Sequence, residues 1–239
     1  MEFEEFKREF EKYLAKMNIS LLKEQYEQFY AYMELLIEWN EKMNLTAITE
    51  PKEIILKHFV DSLTIAKYVE EGKSIIDMGT GAGFPGIPLK IYRKDVKVVL
   101  ADSLNKRIKF LDEVIDKLKL ENVETIHCRA EELGKNKQYR EKFDYATSRA
   151  VANLSTLSEY LMPFVKLNGK CIFMKTIEVE EELEKAKKAI NTLGGKIEKV
   201  DKFEIPESDL GRSIIIVKKE KITPSKFPRK PGTPAKEPL

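Results

Sequence analysis

The chain has 239 residues, 42% of them hydrophobic and 34% charged, and a formal net charge of +2; this composition fits one soluble core with an appended element and excludes a fibrous or disordered protein. No apolar run approaches the roughly 20 residues that span a bilayer, and the opening MEFEEFKREFEKY lacks the basic-then-apolar layout of a signal peptide, so a cytoplasmic protein without a membrane partner is expected. Cys128 and Cys171 both read as core thiols, and the two cysteines and two histidines fall in no paired ligand spacing, so neither a disulfide framework nor a metal site is expected.

Residues 1–70 read as a helical extension. Phe3, Phe6, Phe10, Tyr13 and Leu14, then Leu21, Leu22, Tyr26, Phe29, Met33, Leu36, Ile37 and Met43, recur at three- and four-residue steps and predict two amphipathic helices. Ser20 is the expected N-cap of the second, with Glu24 in its first turn, where an acid favours the helix dipole. The pattern breaks from Asn44 to Pro51, and a shorter helical stretch from Pro51 to Tyr68 follows, opened by proline in a favourable first-turn position. His58 lies within it, where hydrogen-bonded packing is the expected role ahead of catalysis.

From Ser74 the pattern changes to short β-branched runs: SIIDM, VKVVLA, VETIHC, FDYATS, GKCIFMK, KIEKVDKFEI and SIIIVKK. His127 sits in the third of these and reads as a strand residue. Helices are expected between the first six runs, at Pro85 to Tyr92, Leu104 to Leu118, Ala130 to Leu133, Leu154 to Val165 and Val179 to Leu193. Alternating strands and helices imply parallel βαβ units, and the last two strands, with no helix between them, imply an antiparallel hairpin. The expected architecture is α/β: N-terminal helices, then a core over residues 71–220 with a seven-stranded, mostly parallel, doubly wound sheet.

Residues 221–239 form a distinct tail. Five basic residues, Lys221, Lys226, Arg229, Lys230 and Lys236, face one acid, Glu237, whereas residues 1–220 are slightly acidic. Five prolines and one glycine in ITPSKFPRKPGTPAKEPL exclude a core helix or central strand. The tail therefore reads as extended and basic: either a grip on a polyanion, with Phe227 available to stack on an unpaired base, or a solubilising end.

The strongest local motif is IIDMGTGAGFPG, Ile75 to Gly86, in which an apolar strand ends in an acid and runs through glycines into a helix. Gly81, Gly83 and Gly86 satisfy the dinucleotide spacing GxGxxG, so a nicotinamide or flavin oxidoreductase competes as a reading. A phosphate loop is excluded because Ile87 and Pro88, not Lys and Ser or Thr, follow Gly86. Two features favour S-adenosyl-L-methionine: the cluster begins earlier, as Asp77-x-Gly79-x-Gly81-x-Gly83, and it follows a helical segment instead of opening the domain. Asp102, at the end of the second strand, is placed to accept from ribose hydroxyls with either cofactor, or else to cap the helix from Leu104. Arg129, Ala130 and Glu131 follow the third strand and Ser148 and Arg149 the fourth, at the carboxyl ends where open α/β sheets bind ligands; caps and solvated charges are the alternative. Lys175, which ends the fifth strand, and Arg212, which opens the seventh, are candidate contacts to phosphate or to guanine O6, or ordinary exposed charges. A non-catalytic RNA-binding assembly factor and a methyltransferase for small molecules or proteins also remain open.

The ordered segments DMGTGAGFPGIPLKI, ADSLNKRIKFL, CRAEEL and SRAVANL resemble the bacterial small-subunit rRNA methyltransferase G family, also called glucose-inhibited division protein B. WNEKMNLTAI and KHFVDSL upstream, and GRSIIIVKK and KFPRKPGTPAKEPL downstream, extend the resemblance over nearly the whole chain from about Leu35. The resemblance implies an enzyme that methylates N7 of a guanine near the decoding region of 16S rRNA, acting on the RNA or the small ribosomal subunit, with a monomer expected. It further implies that Asp77, Gly79, Gly81, Gly83 and Phe84 form the cofactor loop, that Asp102 and Ser103 meet the ribose, and that Ala130 and Glu131 lie beside the adenine. Arg149, by the same resemblance, reaches the cofactor or target pocket. Guanine N7 carries a lone pair and no proton, so no general base is needed and positioning should carry catalysis, with Arg149, Lys175 and Arg212 as the residues proposed for it.

Overall fold

A computed structural model describes residues 1–149 and 152–239. Two helices open the chain, α1 (Phe3–Lys16) and α2 (Lys23–Met43). The first buries Phe6, Phe10, Tyr13 and Leu14, the stripe expected from its periodicity. The second starts later than Ser20 would set it: Leu22 is the N-cap and its amide donates to Gln25 Oε1 at 2.8 Å, so a side chain from inside the helix satisfies the end that Ser20 was expected to cap. Asn44, left-handed at φ 48°, ends it.

The stretch from Pro51 is not one helix. It runs as α3 (Pro51–Ile54), a wider π-helical stretch (Ile55–Val60), α4 (Asp61–Leu63) and a tight 3₁₀ turn (Ala66–Tyr68). Glu50 caps α3 by accepting from the Glu53 amide, and Pro51 occupies its first turn. A π-helical stretch is uncommon and often marks a functional site, because it turns side chains out of the α-helical register.

The sheet strands are β1 (Ser74–Met78), β2 (Lys97–Asp102), β3 (Val123–His127), β4 (Phe143–Arg149), β5 (Val165–Thr176), β6 (Gly195–Glu204) and β7 (Gly211–Lys219). Their order is β3-β2-β1-β4-β5-β7-β6. Every pair from β3 to β5 is parallel, and β7 runs antiparallel between β5 and β6. The connecting helices are α5 (Gly86–Tyr92), α6 (Asn105–Leu118), α7 (Ala130–Leu133), α8 (Leu154–Leu161) and α9 (Glu180–Thr192). One expected boundary moves: the helix from Leu154 stops at Leu161, Pro163 sits in a short 3₁₀ turn (Met162–Phe164), and Val165 already begins β5.

The sheet has a separate apolar cluster on each face. On one face, Phe6, Phe29, Tyr32 and Phe59 from the N-terminal helices join Ile75, Leu100, Phe110 and Leu111 in a single core. On the other, Ile76, Ala146, Phe173 and Ile215 pack beneath α7, α8 and α9 together with Phe227 from the tail. Cys171 is fully buried here, but Cys128 is only half-buried, which corrects the expectation of two core thiols.

The tail also departs from expectation. Phe227 is 3% exposed and so is not available to stack on a base. Arg229 donates to both oxygens of the fully buried Glu159, at 2.7–3.0 Å, and is therefore committed to the fold. Arg140 holds the irregular stretch 223–227 by donating to the carbonyls of Thr223 and Phe227, and a single helical turn, α10 (Thr233–Lys236), follows near the end of the tail. Lys226, Lys230 and Lys236 remain exposed. Among the described residues, no helix is long and apolar enough to cross a membrane.

Candidate active site

Strand order reverses between β1 and β4, with β2 and β3 on one side and β5, β7 and β6 on the other, so the loops after β1 and β4 flank the crevice where doubly wound sheets hold ligands. Asp77, one residue before the end of β1, is wholly inaccessible. Its Oδ2 accepts from Thr80 Oγ1 at 2.7 Å and from the Gly86 amide at 2.8 Å, which ties the two ends of the glycine turn together. Oδ1 is buried without a partner among the described residues. Burial pushes this carboxyl up to about 6, against the two hydrogen bonds that favour its charged form.

The turn needs its glycines for two reasons. Gly79 and Gly81 have φ of 70° and 63°, and a Cβ on Gly81 would meet nothing within 4 Å, so the backbone there faces open space. Gly83, at φ 101°, lies against the N-terminal helices: a Cβ would come within 2.6 Å of Tyr32 Oη and 2.7 Å of Ile87. Tyr32 itself donates a short hydrogen bond to the Ala82 carbonyl, so α2 fixes the turn from outside the sheet. Two glutamines reinforce that docking, Gln25 donating to the Ile91 and Tyr92 carbonyls and Gln28 to the Leu118 carbonyl, at the C-terminal ends of α5 and α6.

A cavity of about 400 Å³ opens over this turn. Gly79, Gly81 and Phe84 from the turn, Asp102, Ser103 and Arg107 from the end of β2 and the start of α6, Arg149 from β4, and Leu45, Thr46 and His58 from the N-terminal segment line it. Asp102, 2% exposed, accepts from the Gly81 amide through Oδ2 and from the Leu104 amide through Oδ1, both at 2.9 Å, while Arg107 approaches Oδ2 at 3.1 Å. It therefore joins the glycine turn to Leu104, which is itself the N-cap of α6, so Asp102 lines the cavity and is not the helix cap that was the alternative expectation.

Arg149, the last residue of β4, is held by residues from the segment 51–63. It donates to the Lys57 carbonyl at 3.0 Å, to Asp61 Oδ2 at 2.9 Å and to His58 Nδ1 at 3.2 Å, and its guanidinium lies over the Phe84 ring, 5.0 Å from the centroid. Because arginine can only donate, His58 Nδ1 is an acceptor, and its Nε2 carries the proton toward Thr46 Oγ1 at 3.0 Å. His58 stacks on Phe84 at 4.3 Å. Burial, with Arg149 beside it, lowers its pKa to about 3, so it is neutral throughout the physiological range and makes a poor proton shuttle.

The remaining predicted residues stand apart from the cavity wall. Arg212 donates to Asp61 Oδ1 at 2.8 Å. Lys175 pairs with Glu182 at 2.7 Å and donates to the Ala152 carbonyl at 3.0 Å. Ala130 and Glu131 open α7, and Glu131 Oε1 accepts from the tail amide of Gly232 at 2.8 Å, a partner the sequence did not suggest. Asp61, Thr46 and Arg107 were not singled out from the sequence. The only signal for Asp61 was its place three residues after His58 on a helical segment, which is uninformative until β4 is seen to end and β7 to begin there.

The profile of the GidB family, rRNA small subunit methyltransferase G, matches residues 25–211. Proteins named ribosomal RNA small subunit methyltransferase G are similar over almost the full length: 55% identity in Clostridium novyi over 90% of this chain and 89% of the relative, and 53% in Bacillus licheniformis over 95% of each. The fold resembles TYW2 from M. jannaschii, solved in complex with AdoMet, at TM-score 0.54 and 21% identity over 68% of this chain and 75% of that one. A SAM-dependent methyltransferase from Aquifex aeolicus aligns at TM-score 0.54 and 18% identity, over 73% and 96%.

Proposed function

The chain belongs to the rRNA small subunit methyltransferase G family, and from that membership we propose that it methylates N7 of a guanine in 16S rRNA near the decoding region, with S-adenosyl-L-methionine as methyl donor. The observation that carries this reading is the single cavity in which the glycine turn, Asp102 and Arg149 converge at the switch point of the sheet.

The residues present suit that cofactor. Open backbone at Gly81, with Gly79 beside it in the cavity lining, suits the methionine portion, and Asp102 with Ser103 suits a ribose. Ala130 and Glu131 are assigned to the adenine edge. When bound, S-adenosyl-L-methionine supplies an electrophilic methyl group on a sulfonium. The chain's own part is then to bind and orient the base, and the histidine of the cavity lining fits an acceptor that has no proton to lose: His58 is held neutral and hydrogen-bonded on both nitrogens. Arg149 stands ready to donate to guanine O6 or to a phosphate from the cavity wall. Lys175 and Arg212 are assigned to RNA contacts beside it, where a phosphate would compete with Glu182 for Lys175.

The test is transfer of labelled methyl from S-adenosyl-L-methionine to 30S subunits and to naked 16S rRNA, followed by nucleoside analysis. Label in 7-methylguanosine is the expected outcome. Label in another nucleoside overturns the N7 assignment, and RNA binding without transfer favours an assembly factor.

A further inference from the structure

Asp61 comes from the helical segment before the sheet, yet it joins the ends of two strands. It is 3% exposed, and its carboxylate is divided: Oδ2 takes the Arg149 terminal nitrogen at 2.9 Å and Oδ1 takes Arg212 Nε at 2.8 Å. Two guanidiniums drawn this close repel one another, and a single buried carboxylate between them lowers that repulsion while leaving the group with one net positive charge. The same segment supplies Arg149 with the Lys57 carbonyl and His58 Nδ1. Three of the five guanidinium N–H groups are thereby used, and those left over belong to a side chain that lines the cavity.

We infer that Asp61 is a positioning residue for methyl transfer: by holding Arg149 and Arg212 on its two oxygens, it fixes the direction in which Arg149 presents its unused donors to the target guanine. This rests on the reading of the cavity given above. Asp61 is not among the residues that line the cavity; its effect passes through the two arginines. Lys57 and His58 lie within the π-helical stretch Ile55–Val60 and Asp61 directly follows it, so one short segment supplies all three partners of Arg149. A donor misdirected by about 1 Å costs on the order of a hundredfold in rate when positioning is the main source of catalysis.

The experiment compares the parent, Asp61→Asn, Arg149→Lys and the double variant in methyl transfer to 30S subunits, with S-adenosylhomocysteine affinity measured separately. Asp61→Asn is expected to bind S-adenosylhomocysteine within about twofold of the parent while kcat falls on the order of a hundredfold. The double variant is expected to be no slower than the slower single variant, because both changes disable one unit. A structural role alone would instead give losses that multiply. Asp61→Glu keeps the charge and shifts the arginines by one methylene, so it is expected to fold normally and still lose about tenfold in kcat. Full activity in either Asp61 variant, or multiplying losses in the double variant, overturns the inference. An inactive parent overturns the reading of the cavity and the inference with it, whereas an active parent beside a fully active Asp61→Asn overturns the inference alone.

Discussion

Asp77 shows how a single buried acid can trade stability for a site. Its folded pKa of about 6 lies above the ordinary 3.8, so the protonated form is the one the fold prefers. The stability that follows is fully present below pH 3.8, is lost as pH rises toward 6, and above that the charged carboxylate is a constant burden on the order of 3 kcal/mol. Asp77→Asn keeps an oxygen for the Thr80 hydroxyl and the Gly86 amide without the charge. The variant should therefore be more stable than the parent in urea at pH 7.5, and the gain should shrink to nothing by about pH 4. A gain independent of pH would mean that the charge is not the cause. At this scale much was legible: the acid before the glycines, the acid ending β2 and the arginine ending β4 were all marked by their places in the strand pattern. His58 was legible only as a packed residue, because what it packs against, Phe84 and Arg149, lies far off in sequence.

Among the elements, the tail is where composition misled most. Its prolines and basic residues read as an extended arm, but the backbone carbonyls that proline leaves without partners in the tail find Arg140, and Arg229 finds Glu159. Glu159 has no exposure, so Arg229→Met would strand a buried carboxylate and cost about 3–5 kcal/mol of unfolding free energy. Arg229→Met combined with Glu159→Leu should recover most of that loss, since replacing both partners removes the unpaired charge. Guanidinium titrations of the three proteins check this, and a single variant as stable as the parent would show that the ion pair contributes nothing. The helical stretch 51–68 misled in a smaller way. Its apolar spacing was read correctly as helix, but the π-helical widening that brings Lys57, His58 and Asp61 to Arg149 has no signature in periodicity.

Across the whole molecule, the N-terminal helices are part of the core that the sheet needs. Phe10, Phe29, Tyr32 and Phe59 share one apolar cluster with Ile75, Leu100 and Phe110, and Tyr32 braces the glycine turn. A chain beginning at residue 71 would expose one face of its sheet to water and should lack a cooperative thermal transition, checked by calorimetry beside the full chain. A sharp transition near that of the full chain would instead make the sheet an independent folding unit. The sequence by itself determined the strand and helix order, the antiparallel final pair, the acid-and-glycine turn and the family, because period, turn chemistry and motif order are local properties of a chain. The tertiary structure alone decided that Arg149 and Arg212 share one acid, that His58 is neutral against Phe84, and that the tail is docked. Those facts depend on burial and on partners distant in sequence, and burial sets both the charge state of a titratable group and whether a cation is free to meet a ligand.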